Sequence, residues 1–148
     1  MEYKSILLIE DNTDDIDLTL RAFKKNNLRN EIIVIKDGEQ ALDYINCSGK
    51  FSGRNTDKQP AIILLDLKLP KVDGIEVLKT IKANPRMKII PVIILTSSLE
   101  EKDIMNGYSF GANSYIRKPV DFNKFQETVQ HLGLYWLLLN ELPKEIGI

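Results

Sequence analysis

The chain has 148 residues, enough for one domain with a substantial core. With 43% hydrophobic and 28% charged residues and a net charge of −1, it has no general basic surface for nucleic acid or anionic membranes. One cysteine, Cys47, excludes an internal disulfide and multi-cysteine zinc patterns, and one histidine, His131, argues against a histidine-built metal or nucleophile site.

The first apolar run, SILLI, lies in a strand predicted over Tyr3 to Ile9 and is stopped by Glu10-Asp11. It is too short for a signal peptide or a membrane span, so the expected location is cytoplasmic, with no membrane partner. A helix is predicted over Asp14 to Asn26, with Ile16, Leu20 and Phe23 on one side, then a strand over Ile32 to Ile35. Gly38 to Ile45 is the second helix, and the polar, aperiodic stretch CSGKFSGRNTDKQ, Cys47 to Gln59, reads as a long exposed loop. The third strand, Ala61 to Leu65, delivers Asp66. A helix over Gly74 to Ala83 follows, stopped by Asn84-Pro85. Pro91 to Leu95 is the fourth strand, Leu99 to Phe110 a helix, Ser114 to Ile116 the fifth strand, and Asp121 to Leu139 a long last helix.

Strands three and four, with IILL and VIIL, are apolar at every position, as expected of a parallel sheet covered on both faces. The pattern is βα repeated five times. Right-handed crossovers and short connections leave few topologies for it. An α/β, flavodoxin-like (βα)5 doubly wound parallel sheet leads, with the order 2-1-3-4-5 borrowed from known folds of that kind. Residues 1–148 are expected to form this one domain, its last helix reaching about residue 140. The chain ends too soon for a helix-turn-helix output domain, so no nucleic-acid partner is expected.

Functional groups in such sheets gather beyond the carboxyl ends of the strands. Here those ends deliver Glu10 and Asp11, Asp66, Thr96 and Ser97, and Lys118. Crowded carboxylates repel unless a cation is present, and an all-oxygen set selects a hard ion such as Mg2+. A hydroxyl at Thr96 and an ammonium at Lys118 suit the remaining oxygens of a phosphoryl group, and a carboxylate can attack phosphorus. Each group has a plain structural alternative when taken alone. Glu10-Asp11 with Asp14 and Asp15 can be a helix N-terminal cluster, Thr96-Ser97-Ser98 a helix cap, Asp66 a loop carboxylate and Lys118 a solvated lysine. The conjunction at four of five strand ends favours a site.

The motifs IEDN, LLDLKLPKVDG, ILTSS and IRKPV, in this order, resemble the receiver domain of two-component response regulators. The resemblance covers Tyr3 to Asn140. It implies phosphorylation of Asp66 by a sensor histidine kinase or phosphotransfer protein. It implies Mg2+ held by Asp11, by Glu10 through water, by Asp66 and by the backbone carbonyl of Lys68. Thr96 and Lys118 would bind the phosphoryl group, Tyr115 would switch with Thr96, and the Lys118-Pro119 bond would be cis. The long polar loop and the tail LGLYWLLLNELPKE are similar to the small stand-alone regulators paired with bacterial phytochromes.

In the last helix, Phe122, Phe125, Val129, Leu132, Trp136 and Leu139 form a core-facing stripe. Leu134, Tyr135, Leu137 and Leu138 fall outside that stripe, so this end calls for further cover. A homodimer through the fourth helix, fifth strand and fifth helix is expected, with Tyr108, Phe110, Tyr135 and Leu138 at the interface. Lys68, two residues past Asp66, is either a solvated lysine or a group bordering the phosphoryl's approach. A haloacid-dehalogenase-like phosphatase would need an aspartate at Lys68. A flavodoxin-type carrier would not place EDNTDD where a flavin phosphate binds. A degenerate receiver acting as a binding module would not keep Asp11, Asp66, Thr96 and Lys118 together.

Overall fold

The computed structural model describes residues 4–26, 28–97, 101–118 and 121–132. Five parallel strands, β1 (Ile6–Ile9), β2 (Ile32–Ile35), β3 (Ile62–Leu65), β4 (Val92–Thr96) and β5 (Ser114–Arg117), lie in the order β2-β1-β3-β4-β5. They alternate with α1 (Thr13–Lys25), α2 (Gly38–Asn46), α3 (Gly74–Ala83), α4 (Glu101–Ser109) and α5 (Phe122–Leu132). The flavodoxin-like architecture read from the sequence is the one observed. No helix among the described residues is long and apolar enough to cross a membrane.

Side chains alternate across each strand, and the helices divide accordingly. Ile6 and Leu8, Ile62 and Leu64, and Ile93 and Leu95 pack with Ile16, Ala22 and Phe23 of α1 and Phe125 and Val129 of α5. Leu7 and Ile9, Ile63 and Leu65, and Val92 and Ile94 pack with Ala41, Tyr44 and Ile45 of α2 and Val77, Leu78 and Ile81 of α3. Central strands β1, β3 and β4 are buried at every position because both faces are covered.

Boundaries move where hydrogen bonds decide them. Asn12 caps α1 by accepting from the Asp15 N–H, so the helix starts at Thr13 instead of Asp14. β1 starts at Ile6, where the ladders to Ile32 and Ile62 begin. β4 includes Thr96 and β5 includes Arg117 because these two residues pair. The stretch from Cys47 to Gln59 is the exposed connection expected, with eight of its thirteen residues exposed and none buried, and a few contacts pin it to α2. Cys47 ends α2 at φ 54°, Gly49–Phe51 form a 3-10 turn, and Phe51 meets the Tyr44 ring edge-on at 5.2 Å. Arg54 lies 4.0 Å over the same Tyr44 ring and donates Nε to the Tyr44 carbonyl. Guanidinium stacking of this kind leaves no trace in hydrophobic periodicity. The expected continuation of the last helix to about residue 140, the expected cis bond at Pro119, and Trp136, Tyr135 and Leu138 fall outside the described residues.

The segment joining β3 to α3 is held by two glycines. The Gly38 N–H donates to the Pro70 carbonyl at 3.1 Å, and a Cβ there would lie 2.0 Å from the Val72 carbonyl oxygen. A Cβ at Gly74 would lie 2.5 Å from the Asp66 carbonyl oxygen and from Leu67 Cα. Helix propensity alone favours Gly74→Ala by about 1 kcal/mol. The backbone contacts reverse that sign. Gly74→Ala is expected to destabilise by roughly 2 kcal/mol, read as a lower urea midpoint at unchanged slope.

Candidate functional site

Sheet register decides which residues meet. β1 and β3 end flush, Ile9 beside Leu65, and the Asp66 N–H donates to the Ile9 carbonyl at 3.0 Å. The Glu10 N–H donates to the Ile35 carbonyl at 2.9 Å, so both carboxylates leave the sheet from hydrogen-bonded positions. β4 and β5 end with Thr96 beside Arg117, and the Lys118 N–H donates to the Thr96 carbonyl at 2.8 Å. Four strand ends thus open on one edge.

Glu10, Asp11 and Asp66 each place a carboxylate oxygen within 4.8 Å of the others. Glu10 and Asp66 are 1% and 6% exposed, while Asp11 faces solvent. The Lys118 ammonium enters this group, donating to Glu10 Oε1, to Asp15 Oδ2 at 2.8 Å and to Asp66 Oδ2 at 3.2 Å. The second Asp66 oxygen accepts from the Lys68 N–H at 3.1 Å, and the second Glu10 oxygen from the Asn12 N–H at 3.2 Å. Among the described residues no buried side-chain nitrogen or oxygen lacks a partner.

Burial is the largest influence on Glu10. It pushes the carboxyl up to about 7, against the hydrogen bond from Lys118 and with the Asp66 carboxylate adding to the rise. Burial also works against the charge of Lys118. Hydrogen bonds to Asp15 and Glu10 and the charges of Asp66 and Glu10 outweigh it, holding the ammonium above the ordinary lysine range. The site therefore keeps its cation firmly and is tight for a third anion. A divalent ion relieves that crowding, and three carboxylate oxygens without nitrogen or sulfur donors suit a hard one.

The structure brings together Glu10, Asp11, Asp66 and Lys118 and sets Thr96 beside them on the next strand. Thr96 is fully buried. It falls on the α2–α3 side of the sheet by alternation, as does Tyr115, which pairs with Ile94. The Lys68 ammonium pairs with α4, its Nζ 3.5 Å from Asp103 Oδ2. Tyr108 is 51% exposed, whereas Phe110 packs against the core under Lys79, whose Nζ lies 4.5 Å from the ring centre. Phe110 follows the end of α4, where Gly111 turns at φ 100°, so it does not share the open face of Tyr108.

Asp15 and Asp103 escape a reading by strand ends because both sit on helices. Asp15 is the third residue of α1, where an acid commonly turns back to the capping residue's N–H. Here Glu10 takes the Asn12 N–H, and Asp15 reaches Lys118 instead. A carboxylate at that helix position with a second acceptor just upstream is the signal that could have found it.

Comparison with known proteins bears on this geometry. The family model described as the response regulator receiver domain matches residues 6–130. The probable methanogenesis regulatory protein FilR2 of Methanothrix harundinacea is 42% identical over 93% of this chain and 86% of its own. Response regulator Rcp1 of Synechocystis sp. is 37% identical over 95% of this chain and 93% of its own. Its Mn2+-bound form superposes with TM-score 0.84 at 37% identity, over 95% of this chain and 99% of the other. The phosphorylated cyanobacterial phytochrome response regulator RcpA superposes with TM-score 0.86 at 36% identity, over 97% of this chain and all of the other.

Removing the ammonium tests the charge arrangement directly. In metal-free buffer Lys118→Met is expected to destabilise by about 3 kcal/mol, the scale of breaking a buried ion pair. Adding Asp66→Asn to it should restore part of that loss. Equal denaturant midpoints for the parent and Lys118→Met would contradict the arrangement.

Proposed function

Because this chain belongs to the response regulator receiver domain family, we propose that Asp66 accepts a phosphoryl group from a sensor histidine kinase or phosphotransfer protein. The observation that carries the reading is the placement of Asp66. It is a buried carboxylate at the end of β3, held by the Lys68 N–H and facing Lys118 and two further carboxylates. In the transfer, an Asp66 carboxylate oxygen forms a bond to phosphorus. The P–N bond of the donor phosphohistidine breaks, and its electron pair leaves with the imidazole.

Glu10, Asp11, Asp66 and the Lys68 carbonyl would hold Mg2+. When bound, that ion neutralises charge on the phosphoryl oxygens. The cluster of three carboxylate oxygens supports this, and so does the Mn2+-bound form of Rcp1. Lys118 pairs with a phosphoryl oxygen, and Thr96 supplies the hydroxyl for another. Tyr115 follows Thr96, giving a two-state element biased by one charged group. Its position against α4 supports that coupling, since a Cβ on Gly107 would lie 3.6 Å from the Tyr115 ring and 2.7 Å from Ile94 Cδ1.

The output proposed is a contact with another protein in the cytoplasm. A homodimer through α4, β5 and α5 is the contact proposed, supported by the exposure of Tyr108. A phytochrome-type kinase is the proposed source of phosphoryl groups, supported by the likeness to RcpA. A phosphatase acting on outside substrates lacks support, because Lys68 stands where the second aspartate would act and its side chain is turned to Asp103.

Incubation with Mg2+ and a small acyl phosphate, followed by intact mass measurement, tests the assignment. The parent is expected to gain one phosphoryl group and Asp66→Asn none, with a rise in apparent size in the labelled parent. A folded parent that stays unlabelled with both the acyl phosphate and a phosphorylated kinase would overturn it.

A further inference from the structure

Asp15 is the part of the site that the receiver reading leaves without a task. Its Oδ2 lies 2.8 Å from Lys118 Nζ, closer than Asp66 Oδ2 at 3.2 Å. A lysine ammonium has three protons to donate, and its partners here are Glu10, Asp15 and Asp66. Glu10 and Asp66 also belong to the oxygen cluster suited to a divalent cation, and Asp15 does not. A cation taking that cluster therefore competes for two of the lysine's partners and leaves the third.

Asp15 is itself well fixed. Its N–H donates to Asn12 Oδ1 at 3.0 Å, and its carbonyl accepts from the Thr19 hydroxyl at 2.8 Å. Its carboxylate hangs on one methylene, whereas the Lys118 ammonium hangs on four and has far more rotamer freedom to lose. The shorter side chain fixes the longer one.

We propose that Asp15 is a positioning residue for phosphoryl transfer, anchoring the Lys118 ammonium from α1 so that its other two donors face the phosphoryl group on Asp66. No bond forms to Asp15 and no proton leaves Lys118. Asp15 acts through geometry, by removing the entropy that an untethered lysine would lose in the transition state. The inference deepens the receiver reading and rests on it.

The test is a double-mutant cycle on Asp15→Asn and Lys118→Met, with Asp14→Asn as a control of equal charge change at the neighbouring exposed position. The rate of labelling by a small acyl phosphate with Mg2+ should fall about tenfold in Asp15→Asn, the factor of one modest charge-assisted hydrogen bond. Asp14→Asn should keep the parent rate. In the Lys118→Met background, Asp15→Asn should change nothing further, because the group it positions is gone. Asp15→Glu keeps the carboxylate and should recover most of the rate. Metal-free urea midpoints give a second reading of the same coupling, with the Asp15→Asn loss vanishing once Lys118 is replaced. Equal rates for Asp15→Asn and Asp14→Asn, or effects that multiply in the double variant, would overturn the proposal while leaving the receiver reading intact. An unlabelled parent would overturn both.

Discussion

One ammonium sits among carboxylates at the edge of the sheet, and the arrangement of the site depends on it. Lys118 touches Glu10, Asp15 and Asp66 at once, and its side chain is 9% exposed. Two of these acids are nearly buried themselves. Buried like charges at this spacing do not stay ionised together without compensation. Lys118 supplies one positive charge against three partners. The remaining strain shows at Glu10, whose carboxyl burial pushes up to about 7. Such an edge holds together while remaining short of positive charge, which is what makes a divalent ion welcome.

Backbone architecture holds those charges in place. Asp66 and Glu10 are fixed by ladder bonds to neighbouring strands, to Ile9 and Ile35, before their side chains are considered. The loop beyond Asp66 is pressed between the starts of α2 and α3, where Gly38 and Gly74 admit backbone that any Cβ would displace. Lys71 in that loop adopts φ 70°, a left-handed conformation costing a non-glycine residue about 1 kcal/mol. Its ammonium lies 3.9 Å from Asp37 and 3.8 Å from Glu39, so the strained residue is drawn to the acids at the start of α2. Rigid support on both sides keeps a reactive carboxylate in one position.

The sheet and most of the site were legible in the sequence for one physical reason. Strands buried on both faces read as unbroken apolar runs, so the first polar residue after IILL or SILLI marks a strand end. Asp66 and Glu10 could be found from that rule with topology added, whereas Lys118 stands beyond the polar Arg117 and was marked by the motif IRKPV. Asp15 could not be found, because its role depends on which acceptor takes the Asn12 N–H. Asp103 could not, since a single acid in an amphipathic helix gives no sign that it faces Lys68. The segment from Cys47 to Gln59 is exposed as its composition suggests, but the stacking of Arg54 on Tyr44 that pins it to α2 could not be read, because that contact has no period.

Two ion pairs join the phosphoacceptor region to helices, and their burial makes them unequal. Lys118–Asp15 ties it to α1, with side chains 9% and 30% exposed. Lys68–Asp103 ties it to α4 at 3.5 Å, with Lys68 57% exposed. A pair exposed on one side contributes about 0 to 1 kcal/mol, whereas separating a largely buried pair costs roughly 3 to 5 kcal/mol. The Lys68–Asp103 contact to α4 is therefore the weaker of the two tethers. Tyr115 packs on that same helix beside Gly107. The weaker tether and the aromatic side chain therefore act on one element, the helix that presents Tyr108 and Met105 to solvent.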